Sequence, residues 1–368
     1  MKLIIKKEDF LSGLRVVQTI ADQKSTDPTL ANVLIQTTNG GINLIATDLE
    51  VGTKGFYPAE IKEEGSITIP AKKTFEIVNE LSDVADINIS EMDNNWIKIV
   101  SEVSDFKIFG LPSDEYPSFP EYDSEALNEF DYELFKEMFR KTVFSIAVNE
   151  PRHTLNGLLI KIKDGKIIMV SSDGHRLSYI ERPCEAKITK ELSVVVPKKS
   201  IQEMLRIMSD EKGTIKIGFE KNHIVFEKDN VILISRLITG EFPNFDAILD
   251  TSNLLKLYTN RSELIGAIRR VQLLAGEKTR YIKMNFKSDK LTLNSNNPNQ
   301  GEAKEEINIQ YPGEETSMGM NSRYLLDALS VINTEEVQLE ILDHENPCVF
   351  RELNDNSYLS LVMPMRLQ

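Results

Sequence analysis

The sequence predicts an α+β chain made of three repeats of one domain, each with two amphipathic helices packed on antiparallel sheet. Three observations predict it. A β-hairpin that ends in a polar elbow occurs three times, and the elbow residues Asp48, Asp173 and Asn297 stand 125 and 124 residues apart. Two helix-period segments recur at matching offsets in each repeat, and most of the remaining sequence alternates as strands. A period this long is that of a whole domain and not of a solenoid unit. The 368 residues divide into domains expected at 1–122, 129–250 and 255–368, each within the roughly 100 to 200 residues of one domain.

In chain order, residues 6–24 place Phe10, Leu14, Val17 and Ala21 on one face and predict the first helix. Residues 34–48 form the first hairpin around Asn39 and Gly40, because the favoured tight turn needs positive φ at both central positions. Residues 70–83 and 197–210 predict the second helix of the first two repeats, with Pro70 and Pro197 suited to a first turn, where a missing N–H costs nothing. Extended segments close the repeats at 106–112, 231–238 and 357–367. Residues 112–128, with three prolines and several acids, read as a linker, and a second is expected within 250–258.

The middle repeat opens on a helical pattern over 131–152 (Phe135, Met138, Phe139, Thr142, Ile146) and continues with the clearest hairpin, 155–177, around Asp164 and Gly165. In the last repeat, 260–280 carries Leu264, Ile268 and Val271 on one face, and Asn260 with Glu263 resembles a capping box. Its hairpin, 282–297, turns at Ser288 and Asp289, and 321–335 predicts the closing helix. Phe75, Ile201 and Leu325 align across the three second helices.

Composition excludes several classes. The chain is 41% hydrophobic and 27% charged, which is ordinary for a globular protein. Leu3, Ile4 and Ile5 are the only apolar run near the start, short of the roughly 7 to 15 residues of a secretory core. No segment approaches the roughly 18 apolar residues of a membrane span. Two cysteines, Cys184 and Cys348, lie in different repeats, offer no metal spacing and fit a reducing cytoplasm. The formal net charge is −14, but its placement matters more than its sum. The six helical windows together carry +2 and the rest −16, so a face built of helices is near neutral to basic. Solvation of exposed helix faces accounts for the same residues.

No phosphate loop, metal-spaced His or Cys pair or nucleophile elbow is present, and no catalytic residue, cofactor or metal site is expected. Asp173 and His175 after a strand could form an acid–base pair of a hydrolase. The other elbows have no histidine, however, and a structural turn accounts for the shared Asp or Asn. The terminal VMPMRLQ puts Met363, Pro364, Met365 and Leu367 where a chain normally frays, and thioethers suit surfaces that accept varied apolar partners. The same run could complete the last strand.

Taken together, LNGLLI followed by DGHRL, the P-x-K-K helix start, GEFPNF at 240–245 and VMPMRL near the end resemble the bacterial DNA polymerase III β-subunit family, the sliding clamps, over the whole chain. The resemblance implies a non-catalytic processivity factor: a head-to-tail homodimer ring of six domains around double-stranded DNA, with helices lining the hole. Its implied partners are the polymerase III α subunit, clamp-loader subunits, and other polymerases and repair proteins with clamp-binding peptides, without a membrane.

Carried over by position, the partner cleft falls on Leu155, Ser172, Gly174, His175, Arg176, Leu177, Pro243, Ile248, Val362, Met363, Pro364, Met365 and Arg366. DNA contacts fall on Lys24, Lys72, Asn149, Arg152, His153 and Thr154, of which the last two depart from an aromatic pair seen in some members. The dimer seam sets Phe106 and Ile108 against Leu273 and Leu274. Gln368 extends past the usual final Leu. A three-repeat peptide-binding scaffold without DNA encirclement is the alternative, separable by its monomeric mass.

Overall fold

The computed structural model describes residues 1–21, 26–83, 86–186, 191–208, 213–277 and 279–366. In the first repeat, β1 (Lys2–Lys6) leads into α1 (Lys7–Ile20). It is followed by β2 (Asn32–Thr38), β3 (Gly41–Thr47), β4 (Val51–Pro58), β5 (Glu60–Glu63) and β6 (Ser66–Pro70), then α2 (Ala71–Glu80), β7 (Asp86–Glu91), β8 (Trp96–Ser101), β9 (Ser104–Phe109) and β10 (Leu111–Pro112). The second has β11 (Asn128–Asp131), α3 (Tyr132–Arg140), β12 (Gly157–Lys163), β13 (Lys166–Ser172), β14 (Arg176–Pro183) and β15 (Leu192–Pro197). After these come α4 (Lys198–Ile207), β16 (Thr214–Phe219), β17 (His223–Lys228), β18 (Val231–Arg236) and the short α5 (Asp246–Leu249). The third comprises β19 (Leu255–Asn260), α6 (Arg261–Val271), β20 (Tyr281–Phe286), β21 (Lys290–Asn297), β22 (Gly301–Asn308), β23 (Thr316–Asn321), α7 (Ser322–Ser330), β24 (Glu336–Ile341), β25 (Cys348–Glu352) and β26 (Tyr358–Val362).

These repeats do not coincide with the two compact units of the structure. One unit takes residues 1–135 and 199–237, the other 136–198 and 238–368. The first contains a five-stranded sheet, β5-β1-β7-β8-β9, and a nine-stranded sheet, β10-β6-β2-β3-β4-β18-β17-β16-β11. The second contains an eight-stranded sheet, β15-β12-β13-β14-β26-β25-β24-β19, and a four-stranded sheet, β22-β21-β20-β23. The cause is pairing between repeats: β18 runs antiparallel to β4, from Val231 opposite Gly55 to Ser235 opposite Val51. Likewise β14 runs antiparallel to β26, from Arg176 opposite Val362 to Ile180 opposite Tyr358.

The helices bury the faces that periodicity assigns to them. Phe10 and Leu14 of α1, Phe135, Met138 and Phe139 of α3, Leu264 and Ile268 of α6, and Leu325 of α7 are fully buried. Phe75, expected beside Ile201 and Leu325, is only half-buried, because α2 turns Ala71, Thr74 and Val78 inward. Asn260 does cap α6, its side chain accepting from Glu263 N–H at 3.0 Å. The Asp164–Gly165 turn stands as expected, at φ 51° and φ 70°, whereas in the first hairpin Gly40, at φ 78°, takes positive φ without Asn39, and the third turns without positive φ at Ser288 or Asp289.

Four expectations need correction. The helical pattern over 260–280 gives an α-helix only to Val271, followed by a 3-10 turn over Gln272–Leu274. The helical pattern over 131–152 stops at Arg140. The carbonyls that would continue it turn to sheet hydroxyls, Ser178 Oγ donating to Lys141 O and Ser171 Oγ to Thr142 O at 2.5 Å, and the chain tightens into a 3-10 turn over Val143–Ser145, with Ser145 N–H donating to Thr142 O at 3.2 Å. Pro70 and Pro197 stand as the last residues of β6 and β15, immediately before the helices and not in their first turns. The linker 112–128 is not wholly unpacked, since Tyr116 is buried, donates to Asn32 O at 3.1 Å and accepts from Thr47 N–H at 3.2 Å. Burial pushes the Tyr116 hydroxyl up to about 12.

Candidate functional site

The pairing of β14 with β26 brings the 172–177 elbow beside the chain end within the second unit. Three N–H groups are organised by the elbow itself. Asp173 Oδ1 accepts from His175 N–H and Arg176 N–H, both at 3.0 Å, and Ser172 Oγ accepts from Gly174 N–H at 3.1 Å. Gly174 holds φ 84°, a left-handed conformation that glycine adopts without steric cost. The first repeat repeats the turn, Asp48 Oδ1 accepting from Glu50 and Val51 N–H at 2.9 and 2.7 Å. In the third, Asn297 Oδ1 accepts from Asn299 N–H at 3.1 Å. The shared Asp or Asn is therefore a turn-closing acceptor, and Asp173 is spent on the backbone and on Arg176 while His175 stands exposed.

Arg176 is not a free donor at the rim. It is buried, with Nε 2.9 Å from Asp173 Oδ2, Nη1 2.7 Å from Asp327 Oδ2 and Nη2 2.7 Å from Phe144 O. Its guanidinium also lies 4.3 Å from the Tyr324 ring centroid. The planar fork needs several partners when desolvated, and here they lie on three separate segments. Arg176 thus fixes the elbow against α7.

Above the elbow lies a cleft of about 520 Å³. Ser172, Gly174, Arg176, Leu177, Ile248 and Met363 of the expected set line it. Ile248 and Met363 present their side chains outward, at 45% and 39% exposure. Beneath them is an apolar cluster including Leu177, Val349, Leu359 and Leu361, with Phe242, Phe245 and Leu249 packed against it. GEFPNF is explained by this: its two phenylalanines contact one another at 6.3 Å, and Phe245 lies 6.2 Å from Tyr179. Asn244 Oδ1 starts α5 by accepting from Asp246 N–H at 2.9 Å.

The other expected cleft residues fall outside that lining. Leu155 and Val362 are buried behind it, Pro243 is half-buried and His175 is exposed. Pro364, Met365 and Arg366 continue beyond Met363, and Met365 N–H donates to Gly319 O at 2.7 Å, which ties the tail to the four-stranded sheet. Gln368 lies outside the described residues. Sequence reasoning missed Ala247, Asp250 and the wall formed by Glu345, Asn346 and Pro347. The local signal for that wall is DHENP, where Asp343 Oδ1 accepts from Glu345 and Asn346 N–H at 2.8 and 3.0 Å. Hydrogen bonds from Asn346 and Glu345 hold the Asp343 carboxyl below its usual range.

Of the expected nucleic-acid contacts, Lys72 is exposed near the start of α2. Asn149 and Arg152 are exposed on one loop and His153 at the start of the 3-10 turn His153–Asn156 that follows, the loop braced by Asn156, which accepts from Glu150 N–H and donates to Glu150 O, each at 2.9 Å. Thr154 is buried and does not join them, and Lys24 lies outside the described residues. Of the seam residues, Phe106 and Ile108 lie on the edge strand β9, and Leu273 is 75% exposed with Leu274 beside it. Trp96 and Phe109, exposed and 5.6 Å apart, extend the β9 surface.

One acidic cluster, Glu137, Glu352 and Asp355, has metal-like spacing. It is already occupied by cations of the chain. Lys141 Nζ lies 2.8 Å from Glu137 and 2.5 Å from Glu352, and Arg182 Nη2 lies 2.7 Å from Glu137 and 2.8 Å from Asp355.

Known proteins resemble the chain along its entire length. Models of the DNA polymerase III beta subunit match it in succession, the N-terminal domain over residues 1–120, the central domain over 129–244 and the C-terminal domain over 248–366. The beta sliding clamp of Chlamydia pneumoniae is 32% identical over 369 residues, covering 100% of this chain and 99% of the relative. The crystal structure of the DNA polymerase III subunit beta from Pseudomonas aeruginosa has a TM-score of 0.92 at 29% identity, covering 100% of both chains. A sliding clamp from the same organism bound to griselimycin has a TM-score of 0.92 at 30% identity, again covering 100% of both. With the three domain models matched in order and full-length relatives above 30% identity, the chain belongs to the DNA polymerase III beta subunit family, the DNA sliding clamps, non-catalytic processivity subunits.

Proposed function

We propose that two copies of this chain close into a ring around duplex DNA and that the cleft beside the 172–177 elbow holds the short peptides by which polymerases attach. The supporting observation is the cleft of about 520 Å³ with Ile248 and Met363 half-exposed over an apolar floor. Each apolar anchor buried there contributes roughly 1.5 to 3 kcal/mol before ordering costs, so three anchors near the top of that range, with backbone hydrogen bonds offsetting the ordering, reach the roughly 8 kcal/mol of micromolar binding. The partners are the polymerase III α subunit, clamp-loader subunits, and other polymerases and repair proteins, in the cytoplasm. The repeats are divided at 1–122, 129–250 and 255–368.

Lys72, Asn149, Arg152 and His153 meet phosphates and not base edges, which positions DNA without reading it. Phe106 and Ile108 of one copy pack on Leu273 and Leu274 of the other. Calorimetry with a peptide copying the C-terminal tail of polymerase III α tests the cleft. Micromolar affinity is expected, reduced at least about tenfold by Met363→Asp, since one lost anchor of about 1.4 kcal/mol is a factor of ten. Equal affinity in that variant overturns the assignment.

A further inference from the structure

The strand before the first helix is treated differently in the first and third repeats. In the first, β5 covers the edge of β1, running antiparallel with Glu63 opposite Lys2, Ile61 opposite Leu3 and Glu60 opposite Ile4. The matching strand of the third repeat, β19, ends the eight-stranded sheet with its outer edge unpaired among the described residues. The segment that corresponds to β5, residues 309–313 between β22 and β23, forms no strand. Its N–H groups are directed elsewhere: Ile309 N–H donates to Asp289 O at 3.2 Å and Tyr311 N–H to Ser288 O at 3.1 Å. Pro312 has no N–H to give.

Between β19 and that segment lies a groove of about 880 Å³. Thr259 forms part of its wall; it is 4% exposed and its Oγ1 has no hydrogen-bond partner among the described residues. An unpaired strand edge is a row of unmet donors and acceptors, which proteins either cover or use. Charge marks the ends of this one. Lys256 stands exposed at the start of β19, and Glu263 and Glu336 stand exposed at its far end, none with an ion-pair partner among the described residues.

We propose that the edge of β19 is a strand-accepting groove for an extended segment of a partner protein. The segment runs antiparallel to β19, as β5 does to β1. Its N-terminal end is basic, facing Glu263 and Glu336, and its C-terminal end is acidic, facing Lys256. The residues between them are β-branched, apolar and polar in alternation, and lie along Tyr258 and Thr259. This surface is separate from the cleft, sharing none of its lining residues.

The probe is a fluorescein-labelled peptide Lys-Val-Thr-Val-Thr-Glu, with Glu-Val-Thr-Val-Thr-Lys as its charge-reversed control. Anisotropy with the full chain is expected to show saturable binding of the first peptide, and binding at least about tenfold weaker for the control and for Glu263→Lys combined with Glu336→Lys. Hydrogen exchange is expected to slow over residues 255–260 and to stay unchanged over 172–177. Where the double variant has a lowered melting temperature, Lys256→Glu is used in its place, with the same loss expected. No binding at millimolar peptide, equal binding of both peptides, unchanged affinity in the variants, or protection confined to 172–177 overturns the proposal.

Discussion

Arg176 shows how one side chain can brace a cleft that it also lines. Its three donating nitrogens reach Asp173, Asp327 and Phe144 O, and it stacks on Tyr324. Removing a buried cation leaves its carboxylates uncompensated, which costs roughly 3 to 5 kcal/mol. Arg176→Ala is therefore expected to lower stability on that scale in urea denaturation. Arg176→Lys is expected to recover little, because a single ammonium cannot reach the three directions that the fork spans. Recovery of full stability by Lys would show that charge alone matters at this position.

At the scale of elements, the tail and the buried ion cluster make separate predictions. The tail after β26 is tied by Met363 N–H to His175 O at 2.8 Å and by Met365 N–H to Gly319 O. Truncation after Val362 removes Met363 from the cleft while leaving the β14–β26 pairing intact. Peptide binding is expected to disappear in calorimetry while sedimentation still reports a dimer. In the ion cluster, burial pushes the Glu137 carboxyl up, but hydrogen bonds from Arg182 and Lys141 outweigh it and hold the carboxyl below its usual range. Asp355 is likewise raised by burial and lowered further by Ser357 and Arg182. Both folded-state values lie below the unfolded ones, so the stabilisation is present above the ordinary carboxylate range and is lost as pH falls through the folded values. The melting temperature is expected to fall as pH drops below about 4.5, and Lys141→Met is expected to flatten that fall. An acid limb unchanged in the variant would assign it to other carboxylates.

At the scale of the whole molecule, the proposed ring requires a seam between copies. Obligate homodimers commonly bury more than about 2,000 Å², and β9 presents Phe106 and Phe109 on an open sheet edge while Leu273 is 75% exposed. Replacing Leu273 and Leu274 with Ala is expected to give monomers in light scattering, with peptide binding retained because the cleft lies on other residues. A stable dimer in that double variant would place the seam elsewhere.

Much of this was legible in the sequence because it is local. Asp164-Gly165 sets its own turn through positive φ, Asn260 caps its own helix, and Asp48, Asp173 and Asn297 close their own elbows. A three-fold copy of those signals defines the repeats. The tertiary structure alone decided what meets across the chain. Apolar alternation tells a strand which face to bury but not which edge to pair, so nothing in β14 or β26 announces their register, and nothing in β4 or β18 announces a sheet shared by two repeats. The helix expected over 131–152 ends early because Ser171 and Ser178, far along the chain, take its carbonyls. The wall of Glu345, Asn346 and Pro347 and the inward turn of Arg176 have the same origin: each depends on a partner supplied by a distant segment, and a distant partner leaves no periodicity to read.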